Sequence, residues 1–425
     1  MKGLPIDNLK LRASWGKLGN NAIGNYEWQA VYNSAKYAFG GSLNNGLAIT
    51  SISNNLLEWE STAITNIGID FATLRNRLTF EAEFYNKVTD GILYRPTLPE
   101  SLNQFTSPLQ NLAGVNNKGL EITLGWNDRV GDISYSVSGN FTYNKNKVTK
   151  YKGELVREWR TDANGNKVWY QNVGTVANGS SNLIVEGHEM NEYYMMNPYK
   201  GNGSYFNSDG TVNINGGPKD GMIRTEADMK WLQAMFDAGY KFYPNQAIGK
   251  DKIWYGDMIY ADYNGDGIYG NDDDRDFQGV SWRPKYYFGL QASMTWKGFD
   301  LSMNWAGAAG FKIDYYKQTQ NSVSVTHGYG LGYDIAYDHY FFDPENPNDP
   351  RTNIYSETPR LVGYQNSGQA SATSSWHLKN GNYIKLKNLT IGYTFPKEWM
   401  KVAFIQNARV YLSGENLLTI TCLLY

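Results

Sequence analysis

A chain of 425 residues with a formal net charge of −2 has room for two or three ordinary domains or one large barrel. The near balance of charge excludes a nucleic-acid surface, which needs a basic stripe, and the lone Cys422 excludes an intramolecular disulfide or a cysteine metal cluster. Mean hydropathy is −0.54 and no run of ~18 apolar residues occurs, so no transmembrane helix is encoded. The 33 Tyr and 13 Trp are rings suited to a boundary between water and hydrocarbon.

The opening Met1-Lys2-Gly3-Leu4-Pro5-Ile6-Asp7 has no apolar signal-peptide region, which by itself reads as a cytoplasmic chain. Joined to the strands that follow, it reads instead as a chain whose N-terminal part is missing. The first strand, Leu9–Gly16, sets Leu9, Leu11, Ala13 and Trp15 against Lys10, Arg12 and Ser14. A Gly- and Asn-rich loop over 40–46 follows. Ile64–Thr73 then turns through Arg75-Asn76-Arg77 into Leu78–Phe84, and a second pair, Leu120–Trp126 and Ile133–Tyr143, is joined by a turn at 127–132. In the last of these, Ile133, Tyr135, Val137, Gly139, Phe141 and Tyr143 alternate with Ser134, Ser136, Ser138, Asn140 and Thr142. Strict period-2 alternation with aromatic ends is what a wall between lipid and a watery lumen requires.

Residues 1–149 therefore read as barrel strands, and 150–284 as an extracellular insertion too long to lack structure of its own. Within it Thr225–Tyr240 is a predicted helix, capped by Thr225, with Met229, Leu232, Met235 and Phe236 on one face and a stop at Gly239. Residues 285–310 form a hairpin turning at Lys297-Gly298, with Phe288, Leu290, Ala292, Met294, Trp296 and then Phe299, Leu301, Met303, Trp305 on the apolar face. A polar loop occupies 311–378, and 379–425 holds two strands, Tyr383–Phe395 and Ala408–Gly414, turning at Pro396-Lys397. Short turns alternate with long excursions, the asymmetry of an outer-membrane barrel.

Asp262-Tyr263-Asn264-Gly265-Asp266-Gly267-Ile268, continuing to Asp273, has the spacing of a calcium loop. Asp262, Asn264 and Asp266 would supply side-chain oxygens, Ile268 its carbonyl, and Asp273 the closing carboxylate of a structural Ca²⁺ site. Asp stands where such loops carry a longer Glu, and the flanks read as extended. An acidic Asn-Gly-Asp-Gly turn without metal is the competing reading.

Enzymatic chemistry finds little support. His188, His327, His339 and His377 are isolated, no nucleophile-elbow motif occurs, and Glu81/Glu83 on a strand suit a solvated lumen better than an acid pair. Loop aromatics are the better lead to a ligand. Trp159, Trp169, Tyr170, Tyr193, Tyr194, Trp231, Tyr333 and Tyr340 stand among amides and carboxylates, the setting in which rings stack on sugars. Packing of the loops' own small cores is the alternative for each.

Several stretches resemble the SusC/RagA family of TonB-dependent outer-membrane transporters: Leu9-Lys10-Leu11-Arg12-Ala13-Ser14-Trp15-Gly16, Trp59-Glu60-Ser61-Thr62, and Asn111-Leu112-Ala113-Gly114-Val115-Asn116-Asn117-Lys118-Gly119-Leu120-Glu121. Gly256-Asp257 running into the 262–267 loop, Asn382-Tyr383-Ile384-Lys385-Leu386-Lys387-Asn388-Leu389, and Ser413-Gly414-Glu415-Asn416-Leu417 complete the set in family order. The resemblance implies an all-β, transmembrane antiparallel β-barrel of 22 strands with a plug. It also implies an outer-membrane location in contact with lipid, a SusD-like lipoprotein partner, and uptake of oligosaccharides or peptides powered by TonB.

Against that pattern the plug, the TonB box and the early strands are absent, and about ten strands of the barrel are expected. An unclosed sheet leaves edge groups unpaired in hydrocarbon at several kcal/mol each, so this portion is not expected to transport by itself. Two rivals remain: a soluble or surface carbohydrate-binding β-sandwich or adhesin, and a secreted glycan-degrading enzyme. The direction in which Phe299, Met303, Leu290, Ile122 and Val137 point separates them from the barrel.

Overall fold

Nine strands pair in one antiparallel sheet whose spatial order follows the chain. They are β1 (Ile6–Asn20), β2 (Glu60–Thr73), β3 (Leu78–Tyr94), β4 (Gln110–Val130), β5 (Ile133–Lys150), β6 (Tyr286–Trp296), β7 (Phe299–Ala309), β8 (Tyr383–Thr394) and β9 (Arg409–Thr421). The structure is a computed structural model and describes residues 6–96, 98, 101, 105–315, 333–362, 369, 372–401 and 405–422. The sheet is open, with β1 and β9 at its edges.

The pairing register gathers the apolar stripes onto one face. Leu11, Ile69, Ala82, Ile122, Phe141, Phe288, Gly307, Ile384 and Ile420 stand opposite one another in turn across all nine strands. Paired residues share a face of the pleat, so a one-residue slip anywhere would break the row. At Gly307 the row is filled by its neighbour: a Cβ there would lie 2.3 Å from the Phe288 ring.

Among the described residues this face carries no covering layer. Leu290 is 41%, Val137 39% and Phe299 51% exposed, while Ile122 and Met303 are half-buried by their neighbours along the sheet. Among the described residues the next largest sheet has three strands. The buried clusters lie mainly in the loops: one around Trp231, Leu232, Met235 and Phe242, another around Met222, Met258, Tyr260 and Tyr340. A sandwich buries such a face against a second sheet. Here it faces outward, which removes the sandwich.

The nine strands among the described residues match the expected incomplete barrel of about ten. Other sequence expectations change. The sheet's strands outrun their apolar stripes: β4 reaches from Gln110 to Val130, so the turn into β5 is only Gly131-Asp132. Ladder hydrogen bonds do not depend on side-chain polarity, whereas the stripe marks only the length that needs an apolar medium. The Gly- and Asn-rich 40–46 segment is the turn and second arm of a separate hairpin, Tyr32–Phe39 with Ser42–Ile49. A short helix, Lys397–Lys401, sits in the last connection, and β9 continues past Gly414 to Thr421. His327 and Leu423-Leu424-Tyr425 lie outside the described residues.

Candidate functional site

The wall has two chemical faces. On the outward one, rings collect at both ends of the belt. Tyr143 stacks on Tyr286 at 5.3 Å at one end, and at the other Trp296 meets Phe299 at 6.4 Å, with Tyr393 4.6 Å beyond. The 11 residues from Tyr286 to Trp296 connect these girdles. At ~3.4 Å per residue and a tilt of ~40°, the separation is roughly 26 Å, the height of an outer-membrane apolar band.

The inner face is polar. Arg12 bridges Asp70 at 2.8 Å and Glu83 at 2.6 Å, so the carboxylate at 83 serves an ion network rather than an acid pair. Ser136, Ser138, Gln291, Ser293, Asn304 and Asn388 line a cavity of about 330 Å³ on this side. The polar lining is made of hydroxyl and amide side chains.

Above the long-loop end, residues 151–285 fold together with residues 333–362, 369 and 372–382. The capping box at Thr225 starts helix α1 (Glu226–Asp237), with the Thr225 hydroxyl accepting from Asp228 N–H at 3.2 Å and Asp228 accepting from Thr225 N–H at 2.8 Å. Helix α1 buries Trp231, Leu232 and Met235 completely. Trp231 donates its indole N–H to the Asn213 carbonyl at 2.8 Å. Asp257 and Arg360 tie the two excursions together, and burial pushes the Asp257 carboxyl up against the opposing pull of the guanidinium.

The acidic loop is held by its own hydrogen bonds. Asp262 accepts from the N–H groups of Gly265 at 2.6 Å and Gly267 at 2.8 Å, Asn264 from Asp266 N–H at 3.1 Å, and Asp266 from Ile268 N–H at 2.8 Å. Gln171 donates to Asp273, whose carboxyl is raised by burial. Asp274, missed by the sequence spacing, accepts three backbone N–H groups, from Tyr263, Gly270 and Asn271. Burial still pushes its carboxyl up to about 7. Among the described residues no group of three or more His, Cys, Asp or Glu side chains gathers to hold a metal. The side-chain oxygens of Asp262, Asn264, Asp266 and Asp273 are each turned to an N–H donor of the protein.

The loop aromatics divide. Tyr193, Tyr194, Trp231 and Tyr340 are buried, as packing of the loops' own cores requires. Their polar tips hold backbone or side chains, as when Tyr340 donates to the Arg224 carbonyl at 2.6 Å. Trp159 and Trp169 meet edge to face at 5.7 Å, and Trp159 donates to the Asn264 carbonyl at 2.9 Å, bracing the acidic loop. Tyr170 lies under Arg160 at 3.6 Å. Tyr333 alone of the group is fully out, 80% exposed and 4.7 Å from Tyr337.

Near it an open cavity of about 870 Å³ is lined by Trp254, Tyr255, Tyr337, Phe341, Phe342 and Arg351, among others. Rings beside Arg351, Lys250 and Asp343 suit a polar ligand with flat or extended faces.

The β-barrel model described as TonB dependent receptor-like matches residues 4–216. The chain belongs to the TonB-dependent receptor β-barrel family. It is 26% identical over 420 residues to TonB-dependent receptor P3 of Formosa agariphila, covering 98% of this chain and 35% of that receptor. It is 23% identical over 418 residues to TonB-dependent receptor SusC of Bacteroides thetaiotaomicron, covering 97% of this chain and 34% of that one. Among solved structures, the RagAB peptide transporter superposes with a TM-score of 0.66 at 20% identity, over 98% of this chain and 37% of that chain. The chain thus spans about a third of the length of the relatives it matches.

For this receptor barrel, sequence reading named Tyr340 among the residues lining the aromatic cavity and missed the rest. The cavity's only signal was the ring cluster Tyr340-Phe341-Phe342 entering the Pro-punctuated 343–350 segment. Trp254 and Tyr255 come from the other excursion, 85 positions and more away in sequence by their numbers, and only tertiary folding brings them there.

Proposed function

We propose that this chain forms part of the wall and the extracellular loops of a TonB-driven outer-membrane importer. In this reading the importer takes up oligosaccharides or peptides with a SusD-like lipoprotein. The observation that carries the reading is the registered apolar row across nine strands, exposed on one side and backed by a polar face. Such a face has no stable place in water and a natural one in lipid. The ring-lined cavity between the two excursions, opening at the long-loop end, supports contact with a ligand arriving from outside.

The test is directional labelling in outer-membrane preparations of cells producing the protein, on a Cys422→Ser background. Leu290→Cys is expected to react with a lipid-soluble thiol reagent and resist a charged one; Gln291→Cys is expected to do the reverse. Equal labelling of both by the charged reagent would sink the reading.

A further inference from the structure

The outward face changes character just above the upper girdle. Below and at the girdle it presents Phe84, Leu120, Phe141 and Tyr143. One outward step higher, Lys145 of β5 stands directly opposite Lys118 of β4, with Asn86 of β3 on the other side of Lys118. No register shift separates these residues from the belt, so the two ammonium groups share its outward face. Both lysines are exposed. Among the described residues neither forms an ion pair. The next step up holds Lys147 opposite Asn116, but Lys147 shares a cavity with Glu154 and Glu186, so Lys118 and Lys145 carry the argument.

Like charges directly opposite on paired strands repel and destabilise the sheet. Here the repelling pair also flanks two buried side-chain oxygens, Asn86 Oδ1 and Asn116 Oδ1, that have no hydrogen-bond partner. Buried acceptors without a donor are costly. An anion held between the two ammonium groups offsets their repulsion. The position selects the kind of anion. Immediately below lie Phe84, 47% exposed, and Phe141, 38% exposed, surfaces for acyl chains rather than for a free ion.

We propose that Lys118 and Lys145, with Asn86 and Asn116 beside them, form a binding site for the phosphate headgroup of an anionic membrane lipid at the rim of the belt. The lysine stems lie along the apolar surface while their ammonium groups reach the headgroup level. A basic side chain at that level contributes about 1 kcal/mol toward anionic lipid, or roughly fivefold in affinity.

The inference rests on the lipid-facing assignment of the wall. The experiment is native mass spectrometry of the protein extracted in mild detergent from outer membranes, titrated with phosphatidylglycerol, with phosphatidylcholine and with inorganic phosphate. Wild type is expected to hold phosphatidylglycerol in preference to phosphatidylcholine. Lys118→Gln and Lys145→Gln are each expected to weaken it about fivefold. Lys87→Gln, an equal charge change on the inner face, is expected to leave it unchanged. Retention of full lipid preference by the Lys118→Gln/Lys145→Gln double variant overturns the site, as does an equal loss in Lys87→Gln. Displacement of the lipid by excess inorganic phosphate overturns the lipid assignment in favour of a free-anion site. Thermal melting of each variant in phosphatidylcholine bicelles checks folding; removing the repulsion there is expected to hold or raise the melting point. Lipid-side labelling of Leu290→Cys in the same preparation separates failure of the wall assignment from failure of this site.

Discussion

Arg360 grips Asp257 through two parallel hydrogen bonds, Nε to Oδ1 and Nη2 to Oδ2, both at 2.9 Å. The carboxylate side chain is 1% exposed and the guanidinium 15%. The remaining guanidinium donors reach the carbonyls of Lys250 at 3.0 Å and Lys252 at 3.3 Å. One residue pair thereby locks the excursion after β5 to the excursion after β7.

Removing one partner strands the other charge. Asp257→Ala or Arg360→Ala is expected to destabilise the loop assembly by about 3–5 kcal/mol, and the paired Asp257→Leu/Arg360→Met change by much less. Limited proteolysis of the loops in the membrane-embedded protein measures both. Equal damage from the double and single variants would contradict the assignment.

Gly256 must remain glycine for two reasons. Its φ is +86°, and a Cβ would lie 2.3 Å from the Tyr340 ring and 2.9 Å from Arg360 Cβ. Gly256→Ala is expected to cost about 2 kcal/mol or more, from backbone strain and overpacking together. Adding Tyr340→Ala relieves the ring clash but neither the Arg360 contact nor the φ, so the two changes are expected to be non-additive in thermal melting.

Asp274 gives the acidic loop a pH dependence of defined sign. Its folded carboxyl titrates at about 7, above its ordinary value of 3.8, because burial outweighs its three N–H donors. The folded loop therefore binds more protons than the unfolded one between these values, and stability falls as pH rises through that window. Hydrogen exchange in residues 262–276, corrected for intrinsic rate, is expected to show less protection at pH 8 than at pH 6. In Asp274→Asn the difference is expected to disappear.

The acidic loop's carboxylates already accept N–H groups of their own segment. Chelation by EDTA is expected to leave loop protection from protease unchanged. A clear loss of protection, restored by Ca²⁺ but not by Mg²⁺, would show that the loop rearranges around a metal.

The cavity between the excursions is expected to matter for ligand rather than for folding. Trp254→Ala or Arg351→Ala should lower uptake of the cognate solute several-fold while leaving the labelling pattern of Leu290 and Gln291 intact. Uptake by cells carrying each variant decides this.

The wall was legible because its information is local. Leu120, Ile122 and Leu124, or Phe299, Leu301 and Met303, announce a strand and its outward face by alternation alone, and the short turns declare which ends connect. The full strand lengths were not, since β4 and β5 pair beyond the belt through backbone groups that composition does not mark. Helix α1 was legible for the same local reason: Thr225 and Asp228 form the cap within one turn.

The loop site was the opposite case. Trp231 and Tyr340 read as ligand leads in sequence, yet each is buried, with Trp231 bonded to Asn213 18 positions away and Tyr340 to Arg224 116 positions away. Asp262, Asn264 and Asp266 have the spacing of a metal loop, but spacing does not say whether their oxygens meet an ion or backbone N–H groups. The sequence by itself determined an antiparallel wall with one lipid-compatible face, because period-2 alternation is a property of neighbours. Only the tertiary structure decided which strands share a row, which rings line a cavity, and that Lys118 faces Lys145, because register and loop packing join residues that alternation cannot relate.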